Sequence, residues 1–114
     1  MGLEWIIEET NPDWVKLQVD FYWVMRANKI TPKGLINLAQ SRFNLWHIKD
    51  MHPITKDYTE LGYGSIDYTK VLPNPNISGL EYYYLEQGGN YKINSMDSAK
   101  KSISFFKNNI QKLI

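Results

Sequence analysis

Cysteine is absent from the 114-residue chain. Without cysteine the chain forms no disulfide bond and has no thiolate nucleophile or metal ligand, and the redox state of its compartment is left open. An excess of charge of one sign is also lacking, because 13 lysine and arginine residues nearly balance 12 acidic residues. A net charge of +1 without any block of basic residues argues against nucleic acid as a partner.

Long apolar runs are missing as well, since every hydrophobic stretch is interrupted within a few residues. The sequence therefore predicts no transmembrane helix and no membrane partner. The beginning of the chain is acidic rather than basic, unlike a secretory signal peptide. We expect a cytoplasmic protein, or a periplasmic one if a signal segment has been removed upstream.

The sequence does have the composition of one compact domain over residues 1–114, with 43% hydrophobic and 14% aromatic residues. Three short apolar runs have the length of buried strands: residues 14–20, 44–49 and 80–86. Helical segments are expected between and after them: residues 2–10, 31–41, a short helix from 65, and a last helix capped by Ser95. Strands that alternate with helices predict an α/β fold with a parallel sheet.

Each predicted strand ends on a possible metal ligand, namely Asp20, His47 and Glu86. Because the carboxyl ends of parallel strands meet at one edge of a sheet, these side chains are expected to converge there. Their oxygen and nitrogen donors suit a divalent metal (Mn, Mg, Co or Zn). Singly, Asp20 is more simply a helix cap and His47 a hydrogen-bonded core residue, but the recurrence favours a shared site.

Two residues that follow His47 are further candidates for the site. Lys49 points to the same side as His47 by the two-residue strand period, so it could bind a substrate oxygen or pair with a carboxylate. Asp50 is expected to orient these residues or to cap the next loop rather than to bind metal. That loop, residues 51–64, is long enough to suggest a function. Its G-x-G pattern is better explained by turn geometry than by phosphate binding.

The last helix is expected to pack against the sheet through an apolar stripe spaced by 4, 3, 4 and 3 residues: Ala99, Ile103, Phe106, Ile110 and Leu113. The three tyrosines Tyr82–Tyr84 are expected to be core and packing residues. The opposite, inner face of the sheet is expected to be lined by apolar side chains: Leu17, Val19, Leu45 and Tyr83.

Four segments, VKLQVDFYWVMRANKITP, NLWHIKDM, TELGYGSIDY and YYYLEQ, together resemble the sugar phosphate isomerase/epimerase family of xylose isomerase-like TIM barrels. The elements D-x-Y-W, H-x-K-D, E-x-G-x-G-x-I-D and (F/Y)-x-E-Q carry this resemblance over nearly the whole chain. It implies the C-terminal three βα units of a (β/α)8 barrel, strands six to eight with their helices. It also implies metal-assisted isomerisation or epimerisation of a sugar or sugar phosphate through an enediolate.

The resemblance further implies that Asp20, His47 and Glu86 match three of four metal ligands, and that Glu86 matches one of two proton-moving carboxylates. The fourth ligand, a Glu from an earlier strand that is also the second acid/base, has no counterpart in this sequence. Three residues are candidates for sugar contact. Lys49 and Gln87 lie at or near strand ends, and Trp23 stands where several family members have His.

Because three strands cannot close a barrel, the chain is expected to form a homo-oligomer or to pair with the missing N-terminal part of the barrel. The chain alone is expected to bind metal weakly and to turn over sugars negligibly. Two alternatives remain: a non-catalytic carbohydrate- or metal-binding protein, and a barrel fragment that only self-associates. Zinc-dependent cleavage of abasic DNA, known from related barrels, is disfavoured by the balanced charge.

Overall fold

A three-stranded parallel sheet lies at the centre of the structure, a computed structural model that describes residues 2–114. The strands are β1 (Leu17–Asp20), β2 (Phe43–Ile48), β3 (Asp50–Met51), β4 (Tyr58–Thr59) and β5 (Tyr82–Leu85). The order in the central sheet is β1-β2-β5, and both pairings are parallel. The predicted α/β fold with a parallel sheet is therefore confirmed.

The helices of residues 2–114 are α1 (Gly2–Glu9), α2 (Phe21–Ala27), α3 (Pro32–Leu38), α4 (Tyr68–Val71), α5 (Pro75–Ser78) and α6 (Ser95–Asn109), followed by a 3-10 turn (Gln111–Leu113). Helix α3 begins as predicted, because the Thr31 hydroxyl accepts a hydrogen bond from the Gly34 N–H (3.0 Å). The cap of α6 is Asn94 rather than the predicted Ser95. In this part of the chain no helix is both long and apolar enough to cross a membrane.

One face of the sheet carries the hydrophobic core. The Trp46 ring is fully buried, meets Phe21 edge-on at 5.1 Å, and donates its indole N–H to the Ser78 hydroxyl (2.8 Å). Val19 and Tyr83 pair with Trp46 in register, so they lie on this same helix-covered face. A buried Trp with a satisfied N–H on the middle strand fixes which face becomes the core.

The inner-face prediction is wrong for three of its four residues. Val19 is 3% exposed in the core, Leu17 packs against the core, and Tyr83 stacks on Phe106 of α6 with ring centroids 5.4 Å apart. The alternation of side chains along a strand sends the other set to the open face. That open face carries these residues: Gln18, Leu45, Tyr82 and Tyr84.

Helix α6 is rotated from the orientation that its apolar stripe predicts. Phe106 and Ile110 are buried as predicted. The Ser98 hydroxyl, however, donates to the fully buried Glu60 carboxylate (2.8 Å), and the Ser102 hydroxyl accepts from the Leu61 N–H in the loop after β2 (3.0 Å). A buried carboxylate needs hydrogen-bond donors, so α6 is rotated to bring Ser98 to Glu60. The other three stripe residues are left exposed: Ala99, Ile103 and Leu113.

The loop after β2 is anchored by Asp50, which is 2% exposed. Its Oδ1 accepts from the N–H groups of Met51 (2.8 Å) and Ile66 (3.1 Å). Its Oδ2 accepts from those of Gly62 (2.9 Å) and Gly64 (3.1 Å). The prediction that Asp50 caps this loop is confirmed, and the loop also contains the antiparallel pair β3-β4.

Close packing explains both glycines of the G-x-G pattern. A Cβ on Gly64 would lie 2.1 Å from Asp50 Oδ1. Gly62 has φ +90°, and a Cβ there would lie 2.2 Å from the Phe105 ring. The interpretation as turn geometry is therefore confirmed for Gly62, whereas Gly64 is explained by its close contact with Asp50.

Candidate metal centre

The three residues predicted to bind metal converge at one edge of the sheet. Asp20 ends β1, His47 lies near the end of β2, and Glu86 follows β5 directly. The Glu86 N–H donates to the Ile48 carbonyl (3.1 Å), which extends the strand pairing as far as this ligand. One ligand atom from each of the three side chains lies within 4.8 Å of the others.

The two carboxylate oxygens of Asp20 have different partners. Oδ1 accepts a long hydrogen bond from the Trp23 N–H (3.4 Å) at the start of α2. Oδ2 faces the site, 2.8 Å from Lys49 Nζ and 3.7 Å from His47 Nδ1. Asp20 is therefore both the cap of α2 and a member of the site.

His47 Nδ1 lies 2.6 Å from Glu86 Oε2. The edge of a neighbouring ring, Tyr84, meets the imidazole with centroids 5.6 Å apart. Tyr82, Tyr83 and Tyr84 are 63%, 37% and 48% exposed, so the prediction of these tyrosines as core residues is wrong, although Tyr83 does pack against Phe106. The strand register pairs Tyr84 with His47, and both side chains lie on the open face of the sheet. The two-residue period of a strand could have indicated that face for each of them.

Lys49 is the fourth polar side chain of the site. Its Nζ lies 2.8 Å from Asp20 Oδ2 and 2.9 Å from Glu86 Oε1, and the residue is only 5% exposed. Burial alone lowers the pKa of Lys49, but the hydrogen bonds and negative charges of the two carboxylates raise it above its ordinary value. The amine is therefore held as an ammonium ion that pairs with both carboxylates, one of the two roles open to it from the sequence.

A buried tyrosine fixes the backbone of Lys49. The Tyr68 hydroxyl accepts from the Lys49 N–H (3.1 Å) and donates to the Lys49 carbonyl (2.5 Å). Burial raises the pKa of Tyr68 well above its usual value, so the hydroxyl keeps the proton that it donates. No pattern in the sequence indicates this contact, because it joins residues 19 positions apart.

The donor set fits a divalent ion. Two carboxylates and one imidazole supply hard and borderline donors, and the carboxylates bring two negative charges. Two ligands of one ion lie at most about 4.4 Å apart when each bond is about 2.2 Å. The spread of up to 4.8 Å therefore needs only a small side-chain adjustment.

The two other candidates for sugar contact lie near this centre. Trp23 stands in the first turn of α2 and is 50% exposed. Gln87 shares with Glu86 a cavity of about 200 Å³ beside α6. Its amide Nε2 donates to the Gly89 carbonyl (2.9 Å), and its Oε1 is buried without a hydrogen-bond partner. Substrate binding by either residue stays a prediction.

Fold and site together define an α/β protein with a candidate divalent-metal centre at the carboxyl edge of a parallel sheet. A scan against protein-family models finds no match, and neither does a search of curated proteins. The chemistry of the site is therefore the basis on which a function can be proposed.

Proposed function

We propose that Asp20, His47 and Glu86 hold a divalent metal ion (Mn, Mg, Co or Zn) for the isomerisation or epimerisation of a sugar or sugar phosphate. The observation that carries this proposal is the convergence of the three ligand atoms within 4.8 Å. The resemblance to sugar phosphate isomerases and epimerases of the TIM-barrel type supplies the substrate class. The donor set alone supports only the metal.

A bound divalent ion supplies positive charge beside the carbonyl and neighbouring hydroxyl oxygens of the sugar. Glu86 is the proposed catalytic base. Its carboxylate takes the proton from the carbon next to the carbonyl, and the electrons of the broken C–H bond form the C=C bond of an enediolate. An isomerisation is completed when the former carbonyl carbon receives the proton and the hydroxyl proton moves to the former carbonyl oxygen, a transfer that calls for the second carboxylate. Return of a proton to the opposite face of the first carbon, which needs a second acid, completes an epimerisation.

The ammonium group of Lys49 is placed to assist this step. It lies 2.9 Å from Glu86 Oε1, so a sugar oxygen that approaches Glu86 also approaches a positive charge. Negative charge that develops on that oxygen is stabilised best by a charge that is already in position. The exposed rings of Trp23 and Tyr84 offer apolar surface to a sugar ring.

Sugar binding and proton exchange test the proposal. With Mn²⁺ present, we expect the 114-residue chain to bind a ketose weakly by calorimetry and to exchange the hydrogen next to the carbonyl with D₂O, as followed by NMR. Net turnover is expected to be negligible, because one of the two proton-moving carboxylates has no counterpart. Glu86→Gln should abolish the exchange, whereas Glu81→Gln, an exposed carboxylate before the same strand, should preserve it. Ketose binding that is equally strong in EDTA would contradict the proposal.

A non-catalytic carbohydrate- or metal-binding protein is the second candidate. One observation favours it: both carboxylate oxygens of Glu86 are already engaged, by Lys49 and His47, and the side chain is 37% exposed to water. A general base must have a free oxygen to receive a proton. Metal-dependent sugar binding without any deuterium exchange would identify this second function.

We also propose that the chain forms a homo-oligomer through the open face and edges of its sheet. Strands β1 and β5 are the sheet edges, where backbone groups can pair with another strand. Tyr82 and Tyr84 add exposed aromatic surface. Sedimentation at micromolar concentration should show a dimer, and the double variant Tyr82→Glu/Tyr84→Glu should shift it to monomer. Ile54→Glu, at an exposed apolar residue of the β3-β4 hairpin, should leave the dimer intact. A monomeric wild type would refute the proposal.

A further inference from the structure

The ammonium of Lys49 stands where the metal is proposed to bind. It contacts Asp20 Oδ2 at 2.8 Å and Glu86 Oε1 at 2.9 Å, and these carboxylates are two of the three candidate metal ligands. A protonated amine and a divalent ion satisfy the same need, because each neutralises two carboxylates that would otherwise repel one another.

We propose that Lys49 is an internal cation that holds Asp20 and Glu86 together in the metal-free protein and competes with the metal ion for these two carboxylates. The inference deepens the proposed function and rests on its metal site. In the metal-bound protein the ammonium must leave at least one carboxylate, since two cations at these distances repel each other.

The surroundings of Lys49 restrict where its ammonium can go. Its backbone is clamped on both sides by the Tyr68 hydroxyl, and the residue is 5% exposed. The Tyr58 ring lies 5.4 Å from Nζ and offers a face that attracts a cation. The displaced ammonium therefore stays within the site, next to the space where a substrate oxygen would approach the metal.

Metal affinity of Lys49 variants tests this competition. Lys49→Met and Lys49→Gln remove the internal cation, so each should bind Mn²⁺ at least about tenfold more tightly than the wild type, as measured by calorimetry or by the EPR signal of free Mn²⁺. Lys49→Arg keeps the charge and should not tighten binding. Lys70→Met, at an exposed lysine paired with Asp67, is the matched control and should behave as the wild type.

Thermal unfolding provides a second measurement that does not depend on activity. In EDTA, Lys49→Met should unfold at a lower temperature than the wild type, because its two carboxylates face each other without a cation. Mn²⁺ should then raise its unfolding temperature by more than it raises that of the wild type. If Lys49→Met does not fold, the Lys49→Gln variant and the ¹⁵N signal of the wild-type Lys49 ammonium, which should shift on addition of Mg²⁺, decide the question.

An Mn²⁺ affinity that is unchanged or weaker in both neutral variants would overturn the competition. So would a wild-type ammonium signal that stays unchanged at saturating Mg²⁺. Tighter Mn²⁺ binding by the neutral variants supports the inference even when no sugar binds and no deuterium exchanges. Failure of the isomerase proposal is therefore distinguishable from failure of the role of Lys49.

Discussion

Replacement of Asp50 by alanine is expected to lower the free energy of unfolding by at least about 2 kcal/mol. The Asp50 carboxylate accepts four backbone N–H groups and is almost completely buried. Two of the four donors, the N–H groups of Met51 and Ile66, are buried, and each buried donor that loses its partner costs about 1–3 kcal/mol. A domain of this size has only about 5–15 kcal/mol in total, so the variant should lose a large part of its stability.

Urea denaturation followed by tryptophan fluorescence measures this effect. Asp57→Ala, an exposed aspartate of the same loop, is the control and should change the stability by no more than about 0.5 kcal/mol. Asp50→Asn keeps one acceptor oxygen and should fall between the two. A loss below about 1 kcal/mol in Asp50→Ala would mean that the carboxylate does not organise the loop as the structure shows.

The double variant Asp20→Asn/Glu86→Gln should weaken Mn²⁺ binding at least about a hundredfold. Partners that only orient a metal ligand already contribute about 10–100-fold to affinity, and this variant removes both charged ligands themselves. The amide groups of Asn and Gln keep the shape of the carboxylates that they replace but carry no negative charge.

The EPR signal of free Mn²⁺ during a titration measures this loss. The wild type is itself expected to bind weakly, since three protein ligands leave the ion partly coordinated by water. Asp67→Asn/Glu81→Gln, which removes two exposed carboxylates, is the control for a loss of bulk charge. An affinity within about threefold of the wild type in the Asp20/Glu86 variant would mean that the metal binds at other residues.

The positions of the ligands could be predicted because they depend on a short-range pattern. Each apolar run has the length of a strand and ends on a polar side chain, and parallel pairing brings such ends together. Asp20, His47 and Glu86 meet for this reason. The same local logic explains the start of α3 at Thr31 and Pro32.

Which face of the sheet is covered, and how α6 is rotated, could not be predicted from the sequence. Both depend on contacts between residues that are distant along the chain. The fully buried Trp46, which is hydrogen-bonded to Ser78 of α5, decides which side of the sheet is covered. Glu60 and Ser98, which lie 38 positions apart, decide the rotation of α6. The spacing of apolar residues indicates neither of these polar contacts. Helix α2 is absent from the predicted helical segments, although Asp20 caps it and Phe21, Val24 and Met25 pack in or against the core at helical spacing.

Anomalous X-ray diffraction at the manganese edge, from crystals of the chain grown with Mn²⁺, is the most direct test of the metal centre. We predict one peak about 2.0–2.3 Å from a ligand atom of each of Asp20, His47 and Glu86, with Lys49 Nζ displaced from at least one carboxylate. The account is contradicted if these crystals show no manganese among the three side chains and the Lys49 ammonium still bridges Asp20 and Glu86.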